Sequence, residues 1–176
     1  MERSKMKKFL VGLKTDALAR VLLTLIEQNP DLIKKAYDIA MKAVSDVDSD
    51  TIANDVFTEL DDLDVDELYV RSGRTRYGYT DPNEESWVMF EEALQPFIDE
   101  MKKNQQRALP AVAKTHCIGI IKGLQMFEEE SISDFKDWTT DAPGEYITTV
   151  VDEWKKGNPS DDDIAEIRSI VEGGTP

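Results

Sequence analysis

DALARVLLTLIEQNPDLIKKAYDIAMKAV, residues 16–44, decides the fold class. Leu18, Val21, Leu22, Leu25 and Ile26 recur at the three-to-four spacing of one apolar helix stripe. The spacing predicts a helix over Asp16–Gln28, with Thr15 or Asp16 as its cap. The pattern halts at Asn29-Pro30, where asparagine suits the cap and proline the first position of a second helix. That helix, about Pro30–Val44, is expected to bury Leu32 or Ile33 with Ala36, Tyr37, Ala40 and Val44. Two amphipathic helices with almost no loop between them must run antiparallel, which makes a helical hairpin.

The same periodicity continues outward along the chain. A helix from near Ser49 turns Ile52, Val56, Phe57 and Leu60 inward, and Leu63, Val65, Leu68 and Tyr69 extend it as a short helical turn. RSGRTRYGYTDPN, residues 71–83, is the one long loop of distinctive composition. Asp81-Pro82 then opens a helix reaching about Asn104, with the stripe Trp87, Phe90, Leu94, Phe97, Ile98 and Met101. Pro96 lies within it and should kink or break it. The most apolar helix spans about Leu109–Glu128. Gly119 and Gly123 lie one turn apart on it, and a helix glycine costs about 1 kcal/mol relative to alanine, so close helix packing is expected there. A short segment at Ile132–Trp138 and helices near Pro143–Lys156 and Ser160–Glu172 follow, the last with a capping-box-like Ser160 and Asp163. Strand signals are nearly absent. The expectation is an all-α protein, one domain over residues 1–176, of antiparallel helical hairpins stacked as a small α-solenoid or an irregular helical bundle.

Composition narrows the function classes. The net charge of −15 opposes nucleic acid and acidic membranes in the absence of a separate basic patch. One cysteine, Cys117, excludes an intramolecular disulfide and a multi-cysteine zinc site, and His116 is the only histidine. The opening MERSKMKKFLVGL is basic and then apolar, but Phe9–Leu13 is too short for a secretory core, and a cytosolic helix is expected. No segment approaches the ~18 consecutive apolar residues of a membrane span.

Candidate chemistry is sparse. Asp46, Asp48 and Asp50 match the first ligand spacings of a calcium loop, yet Thr51 replaces its glycine and Phe57 its bidentate glutamate. His116 and Cys117 are adjacent on a helix and point about 100° apart, too divergent for a nucleophile and its base. Cys117 reads as packing and His116 as a satisfied, partly buried side chain. The loop is the better candidate. Arg71, Arg74, Arg76, Tyr77 and Tyr79 combine the residue types favoured at binding hot spots, with Gly73 and Gly78 permitting unusual backbone angles. They read either as a recognition surface or as internal contacts, with the arginines paired to nearby acids and the tyrosines packed on the Trp87 helix. Glu128–Glu130 and Asp161–Asp163 read as solvated helix ends.

VDELYVRSGRTRYGYTDPNEESW, FEEALQPFIDEMKK and THCIGIIKGL, within Val65–Phe127, together resemble the helical, HEAT-like region beside SWIM-type zinc fingers in bacterial and archaeal proteins. DALARVLLTLIEQNPDLIKKA looks like the hairpin that opens that region. The resemblance implies a helical-repeat-like fold used for interactions, without known catalysis. The SWIM finger needs three cysteines and a histidine, so its metal and nucleic-acid roles do not carry over to a chain with Cys117 and His116 alone. The leading expectation is a non-enzymatic interaction module without cofactor or metal, cytoplasmic, binding a protein partner or a second copy of itself. A carboxylate-based metal-dependent enzyme or regulator is the alternative, and nucleic-acid association through the Arg71–Arg76 loop is a third.

Overall fold

The structure, a computed structural model of the chain, describes residues 3–45, 48–75 and 78–173. Helices account for 79% of it and a two-stranded ribbon is its only sheet, so the protein is all-α. Contacts within the chain gather into two compact units, Met1–Asp46 and Val47–Pro176.

The first unit holds α1 (Arg3–Val11), α2 (Thr15–Gln28) and α3 (Leu32–Ser45), with α2 packed on α3. Its hairpin is the expected one, but its turn chemistry differs. Lys14, not Thr15 or Asp16, holds the cap position of α2 and makes no side-chain capping bond. Asn29 closes α2 instead of opening α3: its Nδ2 donates to Leu25 O at 3.0 Å and its backbone N–H to Ile26 O at 3.2 Å. Pro30 and Asp31 make the turn, and α3 begins two residues later than expected. The larger correction concerns burial. No residue of α2 is buried, and Leu18, Val21, Leu22 and Leu25 are exposed. A hairpin is two helices in one layer, and a stripe needs a second layer to cover it. The expected burial of Val44 lies outside the described side chains.

The second unit begins with α4 (Ser49–Asp61) and α5 (Val65–Arg71), then β1 (Gly73–Thr75) and β2 (Gly78–Thr80). It continues with α6 (Pro82–Gln106), α7 (Pro110–Glu130), a 3₁₀ helix (Asp134–Trp138), α8 (Ala142–Lys155) and α9 (Asp161–Val171). Aspartates and serines start most of these helices by accepting from backbone N–H groups that have no partner within the helix. Asp48 accepts from Thr51, Asp64 from Asp66 and Asp81 from Asn83. Ser160 accepts from the Asp163 N–H while its hydroxyl donates back to the Asp163 carboxylate, the expected capping box. Pro96 does not end α6, which runs unbroken for 25 residues. The proline is exposed, so the carbonyl it strips of a partner can be solvated.

The core forms around α7, which packs against α4, α6, α8 and α9. That arrangement is a bundle wrapped about one central helix. Cys117, Ile120, Ile121, Leu124 and Phe127 are fully buried on it, and each such aliphatic or aromatic side chain contributes about 1.5–3 kcal/mol by leaving water. Phe90 of α6 meets Phe127 edge-on at 5.6 Å and lies 5.4 Å from Tyr146 of α8. Gly119 and Gly123 explain how near α4 comes. A Cβ on Gly119 would stand 2.5 Å from Ile52 Cβ, and one on Gly123 would stand 2.6 Å from Val56 Cβ. The β-branched side chains of Ile52 and Val56, with the Ser49 and Ala53 carbonyls, occupy the space a side chain would need. None of the described helices is long and apolar enough to cross a membrane.

Candidate functional site

The loop of interest is an anchored ribbon. α5 closes with the Ser72 N–H donating to Leu68 O at 3.0 Å, and Gly73 follows at φ 87°. Glycine takes this left-handed position without the steric cost of a Cβ. The chain then folds back antiparallel, pairing Gly73 with Thr80, Arg74 with Tyr79 and Thr75 with Gly78. Three-residue strands are too short to show alternation in sequence, and so the expected loop proves to contain a small β-hairpin. Asp81 ends it by capping α6.

Of the five candidate residues, Arg71 is spent inside the fold. Its Nε donates to Glu85 Oε1 at 2.7 Å and its Nη1 to Glu92 Oε2 at 2.8 Å, with Glu67 Oε1 at 3.8 Å. Glu85 and Glu92 lie two turns apart on one face of α6, so a single guanidinium clamps α5 to that helix. The hydrogen bond to Glu92 raises Arg71 above its ordinary value against the opposing effect of burial, and the same bond holds Glu92 below the usual carboxylate range.

Arg74 and Tyr79 behave differently. They are directly opposite across the ribbon and therefore share one of its faces. Both are exposed, Tyr79 at 70%, and Arg74 forms no ion pair with a described residue. Trp87, on the helix that follows, has Tyr146 as its ring neighbour at 6.3 Å. Arg76 and Tyr77 lie outside the described residues. Two further exposed side chains stand at the foot of the ribbon. Tyr69, expected inside, is exposed with its ring set edge-on to Trp138 at 5.8 Å, and Val70 beside it is 83% exposed. α5 is only seven residues long, and its single buried position is Leu68. No helical stripe can be read over so short a span.

The remaining candidates serve the fold. Asp48 is a cap and Asp50 accepts from Lys122 Nζ at 2.7 Å, while Asp46 lies outside the described residues. Asp61 accepts from Ser131 Oγ at 2.5 Å. Among the described residues, no group of three or more histidine, cysteine or acidic side chains is placed to hold a metal ion. Cys117 is a free, fully buried thiol that desolvation pushes up to about 12. Buried His116 holds its Nδ1 3.0 Å from Val112 O, which accepts its proton.

A cleft of about 380 Å³ opens where Ala108, Trp154, Gly157 and Asp163 converge. Two of its lining side chains, Gln105 and Asp163, are already partnered. Gln105 Nε2 donates to Trp154 O at 2.7 Å. Lys114 Nζ donates to Asp163 at 2.5 Å and to Glu166 at 2.6 Å. The bond to Asp163, seconded by Glu166, raises Lys114, and Lys114 with Ser160 holds Asp163 below the ordinary aspartate range. The chain matches no protein family, curated protein or solved structure.

Proposed function

We propose that the chain is a non-enzymatic α-helical interaction module that engages a protein partner through the ribbon face carrying Arg74 and Tyr79. The observation behind this reading is that pair. An arginine and a tyrosine stand side by side, exposed, on a ribbon secured at one end by the Arg71 clamp and at the other by the Asp81 cap. Both residue types supply large contact area and directional hydrogen bonds, and a secured ribbon loses little freedom when a partner docks. Tyr69 and Val70 extend the exposed surface at its foot.

A catalytic reading has less to work with. The one thiol is buried and held protonated, the one histidine bonds its own helix, and Asp163 at the cleft is paired with Lys114. One cysteine suits a reducing compartment, and the cytoplasm is the proposed site of action.

The test is affinity capture from the native cell with the full chain and with Arg74→Glu/Tyr79→Ala. A protein recovered by the parent and lost by the double variant, at equal melting temperature, supports the reading. An identical set of recovered proteins sinks it.

A further inference from the structure

Arg74 is an anomaly of charge. The chain has 21 Lys and Arg against 36 Asp and Glu; nine and six of these lie in residues 1–46, which leaves 12 against 30 in residues 47–176. Where acids are in such excess a cation readily finds a carboxylate, and Arg71, Lys102, Lys114 and Lys122 each hold one or more. Arg74 holds none among the described residues. The acids nearest to it in the chain are engaged elsewhere. Glu67, Glu85 and Glu92 gather on Arg71, and Asp81 accepts from the Asn83 N–H. Residues 71–80 contain three arginines and no acidic residue, so the ribbon is a basic island in an acidic unit.

The register of the ribbon gives this island its shape. Side chains alternate across a strand, so Arg74 and Tyr79 stand on one face while the neighbouring pair, Gly73 with Thr80, belongs to the other. Directly opposed residues hold their Cβ atoms about 4.5–5.5 Å apart, which brings the guanidinium and the phenol within reach of one ligand group. A guanidinium grips a planar carboxylate with two parallel N–H bonds. The tyrosine hydroxyl adds a donor, and its ring adds an apolar platform beside the charge. The complement of this face is therefore a carboxylate flanked by an apolar group. At physiological ionic strength charges are screened beyond about 8 Å, so a short acidic segment on the ribbon responds to its arginines more than to distant acids. A long polyanion such as nucleic acid runs past the ribbon onto the surrounding acidic surface and is repelled.

We infer that the Arg74/Tyr79 face takes a short acidic segment of a protein partner, with an aspartate or glutamate carboxylate on the Arg74 guanidinium and an adjoining apolar side chain on the Tyr79 ring. The inference rests on the interaction reading above and names the chemistry of its partner.

Selection of a random-peptide display library on the full chain tests it, followed by fluorescence anisotropy of the recovered peptides. The expected peptides carry Asp or Glu beside an aliphatic or aromatic residue, and they bind more weakly at about 0.5 M NaCl. Arg74→Lys keeps the charge but not the bidentate grip, and it should weaken them roughly tenfold, the loss of one charged hydrogen bond. Arg74→Glu should abolish binding, with each variant melting at the parent temperature. Peptides that lack acidic residues yet are lost on Arg74→Glu/Tyr79→Ala overturn this inference and leave the interaction face standing. Acidic peptides that the double variant still binds overturn both. Recovery of no peptide, binding indifferent to salt, or tighter binding of a duplex oligonucleotide through Arg74 also overturns the inference.

Discussion

Val56 and Gly123 bring α4 and α7 to a separation that no side chain at residue 123 would permit: an added Cβ would sit 2.6 Å from Val56 Cβ and 2.7 Å from Ala53 O. Gly119 stands in the same relation to Ile52 and Ser49, one turn earlier. The atoms in the way include the Ile52 and Val56 Cβ and the Ser49 and Ala53 carbonyl oxygens, which cannot swing aside. Alanine at either glycine gains about 1 kcal/mol of helix propensity but forces the two helices apart, at about 1–3 kcal/mol. Gly119→Ala and Gly123→Ala should each lower the melting temperature by roughly 2–8 °C. Gly144, whose Cβ would meet nothing within 4 Å, is the control, and Gly144→Ala should lose no stability. Thermal unfolding followed by circular dichroism makes the comparison.

Lys114 joins α7 to α9 through Asp163 and Glu166. Asp163 is held below the ordinary aspartate value of 3.8, so its share of the pairing is present above that pH and lost as pH falls through the lower folded value. Lys114 is held above its ordinary 10.5, so its share is present below that pH and lost as pH rises through the higher folded value. The difference in melting temperature between the parent and Lys114→Met should therefore be widest between these limits and close on both sides. It should also narrow with added salt, since the carboxylates are at the surface.

Cys117 should be chemically silent in the native state. Its thiol is fully buried and pushed up to about 12, so thiolate is scarce near neutrality and reagent cannot reach it. A disulfide reagent at neutral pH should label no cysteine in native protein and one per chain in denaturant. Rapid labelling of the folded protein would contradict the packing described.

Arg71 and Arg74, three residues apart, should behave oppositely on truncation. Arg71→Ala leaves Glu85 and Glu92 on one face of α6 without their shared cation, and it should lower the melting temperature by a few degrees. Arg74→Ala removes an exposed side chain with no described ion pair and should leave the melting temperature unchanged.

Much of the second unit could be read from one dimension. Gly119 and Gly123 signalled a close helix contact because glycine is costly in a helix unless something needs its space. Asp81-Pro82 and Ser160 with Asp163 signalled helix starts because backbone N–H groups need acceptors within a few residues. The site was legible only in part. Arg71 and Arg74 belong to one basic run in sequence, and nothing local distinguishes the one clamped by Glu85 and Glu92, residues 14 and 21 positions away. Tyr69 resembled a core residue because its neighbour Leu68 is one.

The sequence by itself determined that the protein is helical and where most of its helices begin. Those properties follow from periodicity, capping and proline, all of which act over a few residues. Only the tertiary structure decided which apolar stripes are covered and which of Arg71 and Arg74 is clamped. The stripe of α4 is buried against α7 while that of α2 stays exposed, although both read alike. Burial depends on what another element places opposite a face, and that element lies far along the chain.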